Sequence, residues 1–424
     1  MKKVLIVSYF YPPLTGMGAL RVGKLVKFLP EFGYEPLVIA GGNFKNRGKN
    51  VFYPPIPDFG TIAKSFRGWY RQKIKRTDGK ESTAPSDKQR VLGWWPLSGC
   101  RMPDAYLYWV LPAVLTGLYV IKHHKPAVIF SSSPPPSSAV AAAILQRLSG
   151  LPYVAEFRDL WADDPYEIRI PTIEHLDEIM EDKVLRRAAA IVATSEPAAK
   201  ILYKAHGKPS FVVYNGFDEQ DYPFQVRVSG VFTITFTGVI IPGKRDPRPL
   251  FQAIKLLRDQ RKISPENFKV RFYGPESNKL VVEPLAQEYG VRQFCEVHDP
   301  IPHYDCLNRQ CESNLLLLLE WNNPQSDISI PGKLFEYLGA GRPILCVGYL
   351  HGAQARFLEK TEMGIILNDP QKIADCLAKH LAEWRKTPTS LRNVERPAHL
   401  SQFTHRSASR QMAEIFNSVL DWTV

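Results

Sequence analysis

The chain has 424 residues, of which 45% are hydrophobic, and a formal net charge of +12. This length exceeds one ordinary domain and predicts two domains of about 200 residues each, with enough apolar sequence for two cores. The positive charge favours an anionic partner, but no zinc-finger, homeodomain or RNA-recognition motif is present, so nucleic acid is disfavoured and the inner face of a membrane is the strongest candidate.

The N-terminal sequence predicts the first strand of an α/β domain. Its apolar run VLIVSYF follows Lys2 and Lys3, is cut off by Pro12 and Pro13, and is too short for a signal peptide. The six cysteines form no C-x-x-C pair and lack clustered histidines, which predicts free thiols rather than disulfides or zinc. We therefore expect a cytoplasmic protein, peripheral on the inner face of the cell membrane.

A glycine-containing loop follows the first predicted strand. Gly16 and Gly18 lie in this loop, a helix is predicted over residues 19–32, and Gly33 ends it. In open α/β sheets the turn after the first strand is a usual place for a ligand. The third glycine of the dinucleotide fingerprint is missing, which argues against a dinucleotide-binding oxidoreductase.

Residues 43–101 form the least regular part of the chain. Within them, residues 63–76 mix Lys and Arg with aromatic side chains, which suits either an interfacial element at an anionic bilayer or a solvated helix with a few core anchors. The uncharged run 105–121 falls short of a comfortable membrane span and contains Pro112 and Gly117. We predict that this run is a buried helix.

The rest of the first half repeats strands and helices. A strand ends before three prolines, an alanine-rich helix is closed by Gly150, and the strand LPYVAEF leads into Arg158 and Asp159. These two residues come at the carboxyl end of a strand, the functional edge of such sheets, and form either part of a site or a structural ion pair. Residues 211–218 close the first domain, and residues 220–230 are a predicted linker.

The second half opens with a predicted strand over residues 231–238. Lys244 and Arg245 lie on the loop after it, and a cation on a loop near a helix start suits phosphate binding. The predicted linker places the boundary between the two domains at residue 218.

The most informative stretch is SIPGKLFEYLGAGRPIL, which follows the apolar run NLLLLLEW. The pattern predicts a buried strand, a polar loop, a helix and another strand. Leu334 and Leu338 share the inner face of the helix, so Glu336 is predicted to point away from the core. Gly332 permits close approach at the helix start, where free amides favour an anion. A diphosphate and a ribose, as in a sugar nucleotide, would match this helix terminus and carboxylate.

This stretch resembles the donor-binding segment of retaining glycosyltransferases of the two-domain GT-B kind. It is most similar to the large bacterial group, family four, that includes lipopolysaccharide, capsule and O-antigen transferases. The opening stretch YFYPPLTGMGALRVGKLVKFLPEFGYEPLVI also resembles that family. The resemblance covers nearly the whole chain and implies an α/β fold of two doubly wound, Rossmann-like domains with a cleft between them. It also implies that the final helix, residues 406–424, crosses back onto the first domain. The predicted domains are thus residues 1–218 with 406–424, and residues 219–405.

The resemblance also assigns roles to residues. It implies that Glu336 binds the ribose, that Lys244 lies at the family's diphosphate-binding Lys position, and that Arg245 or Arg248 replaces an Arg whose position is held by Val239. The family's first Glu, eight positions before Glu336, is Ile328 here. The implied donor-binding residues are Gly16, Gly18, Gly238, Lys244, Arg245, Pro300, Ile301, Gly332, Lys333, Leu334 and Glu336. The implied acceptor-side residues are Met17 and Arg21, and the implied catalytic residues are Arg158, Asp159 and Lys244. Arg21 could equally be a solvated helix residue.

The expected reaction is transfer of a sugar from a nucleoside diphosphate, with UDP as the default, to an acceptor hydroxyl in cell-surface polysaccharide or glycolipid synthesis, with retention. The acceptor is expected to be a glycan or lipid-linked, and no metal or other cofactor is expected, because no D-x-D pair stands in a suitable context. A sugar-nucleotide 2-epimerase of similar fold and a non-catalytic relative of a transferase are the alternatives.

Overall fold

The computed structural model describes residues 1–42, 44, 48–55, 102–165, 171–386 and 391–422. The basic segment 63–76 lies outside these residues. The described part of the chain contains two parallel sheets of seven and six strands and a two-stranded antiparallel ribbon. The predicted α/β fold of two doubly wound units is confirmed.

The first sheet has the strand order β3-β2-β1-β4-β5-β6-β7. Its strands are β1 (Lys2–Ser8), β2 (Tyr34–Ala40), β3 (Val51–Phe52), β4 (Val128–Ser133), β5 (Tyr153–Phe157), β6 (Ala190–Ala193) and β7 (Ser210–Val212). The central strands are buried on both faces, which explains their continuous apolar sequences.

Helices cover both faces of the first sheet. They are α1 (Met17–Phe28), α2 (Leu107–His124), α3 (Pro136–Ser149), α4 (Pro171–Leu185), α5 (Glu196–His206) and, from the end of the chain, α12 (His405–Asp421). One core contains apolar residues of α1 and α12, and the other contains apolar residues of α2 to α5. The last helix therefore packs on the first sheet.

The second sheet has the strand order β11-β10-β9-β12-β13-β14. Its strands are β9 (Phe232–Thr237), β10 (Phe268–Tyr273), β11 (Cys295–His298), β12 (Leu315–Leu319), β13 (Ile344–Val347) and β14 (Gly364–Leu367). The separate ribbon pairs β8 (Gln225–Arg227), which precedes this sheet in sequence, with β15 (Leu391–Asn393), which follows it.

Six further helices cover the second sheet. They are α6 (Arg248–Asp259), α7 (Ser277–Glu288), α8 (His303–Glu312), α9 (Gly332–Ala340), α10 (Ala353–Thr361) and α11 (Pro370–Lys386). Apolar residues of α6, α7 and α11 fill one core, and those of α8, α9 and α10 fill the other. All strands of this sheet are parallel, so the loops after β9, β11 and β12 meet at one edge.

Two helices differ from the sequence prediction. The helix predicted over residues 19–32 ends at Phe28 and continues as a 3-10 turn, Leu29–Phe32, because Pro30 cannot donate a helical hydrogen bond. The helix predicted as buried is α2, and only one of its faces is buried; Leu111 and Leu115 are exposed. The prediction of a buried helix was wrong because the sheet covers one side of α2 alone. None of the helices in the described part of the chain is long and apolar enough to cross a membrane.

Candidate functional site

The carboxyl edges of the two sheets meet in a cleft. Ser195, after β6, donates a hydrogen bond from Oγ to the carbonyl of Ile328 at 2.5 Å. Met17, the first residue of α1, extends to Gly332, the first residue of α9; a Cβ on Gly332 would lie 2.5 Å from Met17 Cε. The N-termini of α1 and α9, each with a positive dipole end, therefore approach one another across the domain interface.

The start of α9 offers two backbone donors. Gly332 and Lys333 are its first two residues, whose amides have no intrahelical acceptor. Leu334 differs, because its amide already donates to the carbonyl of Pro331 at 2.9 Å and its side chain is fully buried in the core. The amides from Gly332 to Leu334 were predicted to bind the diphosphate. Of these three, those of Gly332 and Lys333 remain available for an anion.

Glu336 lies one turn further along α9 and is only 4% exposed. The sequence predicted that Glu336 points away from the core. The side chain is buried instead, because α8 packs over that face of the helix. Lys333 Nζ lies 2.8 Å from Glu336 Oε2, His303 Nε2 lies 3.2 Å from Oε1, and Gln310 Nε2 donates to Oε2 at 3.3 Å. Burial acts to raise the pKa of Glu336, but the hydrogen bond from His303 and the charge of Lys333 outweigh it and lower the pKa to about 2. Glu336 is therefore a fixed carboxylate.

The region predicted to hold the base adjoins this carboxylate. Pro300 and Ile301 lie between β11 and α8, directly before His303, which contacts Glu336. The nucleoside-binding residues predicted from the sequence are thus placed along one edge of the second sheet.

The loop after β9 carries two cations beside the chain that leaves β12. Lys244 Nζ lies 4.6 Å from the centre of the Trp321 ring, a cation–π contact. Arg245 donates from Nη1 to the carbonyl of Val239 at 2.9 Å and lies 4.0 Å from Glu320. Arg245 therefore folds back to the position where the family resemblance predicts an Arg and the sequence has Val239.

Glu320 and Asn278 were not predicted as site residues. Burial raises the pKa of Glu320 to about 7, although Arg245 acts in the opposite direction. Asn278 is fully buried, donates to the carbonyl of Gly238 at 2.8 Å and accepts from the amide of Ile240 at 2.9 Å, so it fixes the start of the β9 loop. A charged residue directly after five leucines is a sequence signal for Glu320, whereas nothing in the sequence marks Asn278.

Arg158 braces the glycine loop of the first domain. Its guanidinium donates to the carbonyls of Ser133 and Pro134, and a Cβ on Gly18 would collide with that guanidinium. Gly16, the N-cap of α1, has a φ of 117°, which side-chain-bearing residues rarely adopt. Both glycines are thus required by local geometry, and Arg158 acts as a positioning residue.

Asp159 follows Arg158 and remains solvent-accessible. Burial nevertheless raises its pKa, against the lowering effect of Arg158. A carboxyl group whose pKa is raised beside an arginine is a candidate site residue.

Arg21 is buried within the first domain. Its five N–H groups contact Glu156, the carbonyls of Val213 and Tyr214, and Asn215 Oδ1. Its side chain is 6% exposed, and its ion pair with Glu156 measures 2.7 Å. These contacts give no support to the predicted acceptor-side role of Arg21. Its burial also contradicts the alternative prediction of a solvated helix residue. Arg21 ties α1 to β5 and to the chain leaving β7.

The contacts of Ile328 explain why this position departs from the family pattern. Its side chain packs against the core of the first domain, and its carbonyl accepts from Ser195. The neighbouring Asp327 is paired with Arg356 at 2.6 Å. The position therefore serves domain contact here, and its apolar side chain suits that environment.

The assembled groups suit an anionic ligand with hydroxyls. The cations Lys244, Arg245 and Lys333 and two helix N-termini favour a diphosphate, and Glu336 accepts from donors. In the described residues, no group of three or more His, Cys, Asp or Glu side chains is placed to hold a metal ion.

Comparisons with known proteins concern the family and the fold. Residues 19–216 match the family described as glycosyl transferase 4-like domain, and no curated protein matches the chain. Sucrose-phosphate synthase of Thermosynechococcus elongatus is similar in structure, with a TM-score of 0.63 at 12% identity over 99% of both chains. A glycosyltransferase from Rickettsia africae has a TM-score of 0.61 at 13% identity over 99% of this chain and 98% of that one. Anabaena HepE in complex with UDP-glucose has a TM-score of 0.57 at 15% identity over 99% and 100%. Together these likenesses show the two-domain GT-B fold.

Proposed function

We propose that this chain, which carries a glycosyl transferase 4-like domain on a GT-B fold, transfers a sugar from a nucleoside diphosphate to an acceptor hydroxyl in the interdomain cleft. The observation that carries the proposal is the meeting of Met17 and Gly332, which brings two helix N-termini together one turn from the ionised Glu336. A diphosphate fits the termini, and a ribose fits the carboxylate.

In this reaction the bond between the anomeric carbon and the diphosphate oxygen breaks, and a bond from the acceptor oxygen to that carbon forms. Negative charge develops on the leaving diphosphate, and Lys244 with the amides of Gly332 and Lys333 stabilises it electrostatically. The leaving phosphate takes the acceptor's proton, so no side chain is required as a base. The proposed outcome is retention of configuration, without a metal ion.

The proposed donor is a UDP-sugar. HepE, which shares the fold, is described in complex with UDP-glucose. The proposed acceptor is a glycan or a lipid-linked glycan, in cell-surface polysaccharide or glycolipid synthesis at the inner face of the cell membrane. The surplus of positive charge and the exposed apolar residues of the first domain support this location.

The site is tested first by thermal unfolding with UDP, GDP, ADP, CMP and NAD. A ligand that binds the folded state raises the melting temperature by mass action. We expect a shift with UDP that is lost in Lys244→Ala and in Glu336→Ala and kept in Lys255→Ala, a matched control on the exposed side of α6. A shift with NAD alone, or a UDP shift that all three variants keep, would overturn the assignment.

The reaction is tested by NMR of UDP-sugars incubated with the enzyme in EDTA, with and without glycan or lipid-linked acceptors. We expect release of UDP and a product or hydrolysed sugar whose first-formed anomer matches the donor. Conversion of a UDP-sugar into its 2-epimer would instead identify an epimerase.

A further inference from the structure

Helix α2 carries an exposed apolar stripe. Leu107, Leu111, Leu115 and Tyr119 are spaced by four residues and are between 49% and 67% exposed. Residues four apart lie nearly above one another on a helix, so these side chains form one continuous row. The opposite face of α2, which includes Trp109, is buried against the first sheet. The stripe is therefore not available to the protein's own core.

The apolar surface continues onto the neighbouring helix. Helix α3 packs against both α2 and α4, so the outward sides of these helices belong to one layer. On α3, Ile144 and Leu148 are exposed. We call the residues Leu107, Leu111, Leu115, Tyr119, Ile144 and Leu148 the outer apolar face. Clusters of exposed large apolar side chains on soluble domains mark sites of protein or membrane contact.

The charged residues of α2 and α3 are all basic. Between Asp104 and Glu156 the sequence contains no acidic residue, and Lys122 and Lys125 lie at the C-terminal end of α2 beneath the stripe. A surface with leucines at its centre and basic residues at its edge is complementary to a bilayer with anionic headgroups, where apolar groups enter the acyl boundary and Lys stays with the phosphates.

A groove between α3 and α4 shows the same combination. It has a volume of about 550 Å³, and its apolar lining includes Ile144 and Met180. Its charged lining consists of Arg147, Lys183, Arg186 and Arg187. Arg186 is paired with Asp182 on α4, whereas no acidic residue lines the groove itself among the described residues. Apolar walls under basic groups suit an acyl chain below a phosphate.

We propose that the outer apolar face docks the protein on an anionic lipid bilayer. The inference deepens the proposed lipid-linked acceptor, because it would hold the first domain at the surface where that acceptor lies. Docking requires no sugar transfer, so its test can fail while the enzymatic proposal holds, and the reverse is also true.

The experiment is co-sedimentation of the full chain with vesicles of phosphatidylcholine alone or mixed with phosphatidylglycerol. We expect binding to the mixed vesicles, reduced about tenfold or more in Leu111→Ser/Leu115→Ser and in Lys122→Gln/Lys125→Gln. Leu280→Ser is the matched control, because Leu280 is 78% exposed on α7 of the second domain, and it should bind as the unaltered chain does.

Thermal unfolding and UDP binding, measured on the same variants, show whether each is folded and has an intact cleft. Absence of vesicle binding by the unaltered chain, or binding that neither double variant weakens, would overturn the proposal. Light scattering tests whether a second copy of the chain covers this face. A dimer that Leu111→Ser/Leu115→Ser dissociates, without vesicle binding, would overturn the membrane proposal and assign the face to that second copy.

Discussion

Replacement of Glu336 by Gln should weaken UDP binding strongly. Three side chains converge on the Glu336 carboxylate at 2.8 to 3.3 Å, those of Lys333, His303 and Gln310. A glutamine offers one neutral acceptor oxygen in place of two charged ones, so the side chains of Lys333 and Gln310 and a ribose hydroxyl would compete for it. A hydrogen bond to a charged group contributes about 1.5–3 kcal/mol, so loss of one between the carboxylate and a ribose hydroxyl corresponds to roughly 10- to 150-fold weaker binding.

Isothermal titration calorimetry with UDP measures this effect directly. Glu288→Gln, at the exposed end of α7, is the matched control and should leave affinity unchanged. Because the pKa of Glu336 is about 2, the carboxylate stays ionised across neutral pH. The difference in UDP affinity between the unaltered chain and Glu336→Gln should therefore not vary between about pH 6 and 8. A folded Glu336→Gln variant with unaltered UDP affinity would refute the ribose assignment.

Three further predictions concern Arg21 and Gly18 of the first domain and Glu320 of the second. Arg21→Met should lower the free energy of unfolding by about 3–5 kcal/mol in urea titration, because it leaves the Glu156 carboxylate buried without its partner. Gly18→Ala should slow sugar transfer in a variant that still folds, because a Cβ at this position displaces the Arg158 guanidinium. Glu320→Gln should stabilise the protein by about 3 kcal/mol above pH 7, since a pKa raised from 4.5 to about 7 means that the carboxyl's contribution is fully present below pH 4.5 and is lost as the pH rises to 7.

Each of these predictions has a control at an exposed position. Arg410→Met removes a side chain that is 60% exposed and should change the unfolding free energy little. Gly230 has open space on the side where a methyl group would be added, so Gly230→Ala should not slow transfer. Glu359→Gln, on the exposed side of α10, should show no gain at high pH. Equal effects in a variant and its control would contradict the corresponding argument.

The α/β architecture could be predicted because it depends on local patterns. The five leucines of β12 form a strand buried on both faces, and the glycines around α1 and α9 mark turns at the sheet edge. Glu336 was identified for the same reason, since it lies in a short contiguous motif. These features require no knowledge of distant contacts.

The features that were missed depend on tertiary contacts. No sequence signal places Glu156 and the carbonyl of Val213 around Arg21, because these partners are 135 and 192 residues away along the chain. Ile328 occupies a position where the family resemblance predicts Glu, and only the packing against the first domain accounts for it. The exposed face of α2 was not predicted, because an apolar composition alone does not distinguish a buried helix from one with a single buried side.

The most direct test of the account is a crystal structure of the chain with bound UDP. The account predicts ribose oxygens within hydrogen-bonding distance of Glu336, and the diphosphate between Lys244 and the amides of Gly332 and Lys333, with the base beside Ile301. UDP bound elsewhere, or a diphosphate that contacts neither the start of α9 nor the β9 loop, would contradict the central claim.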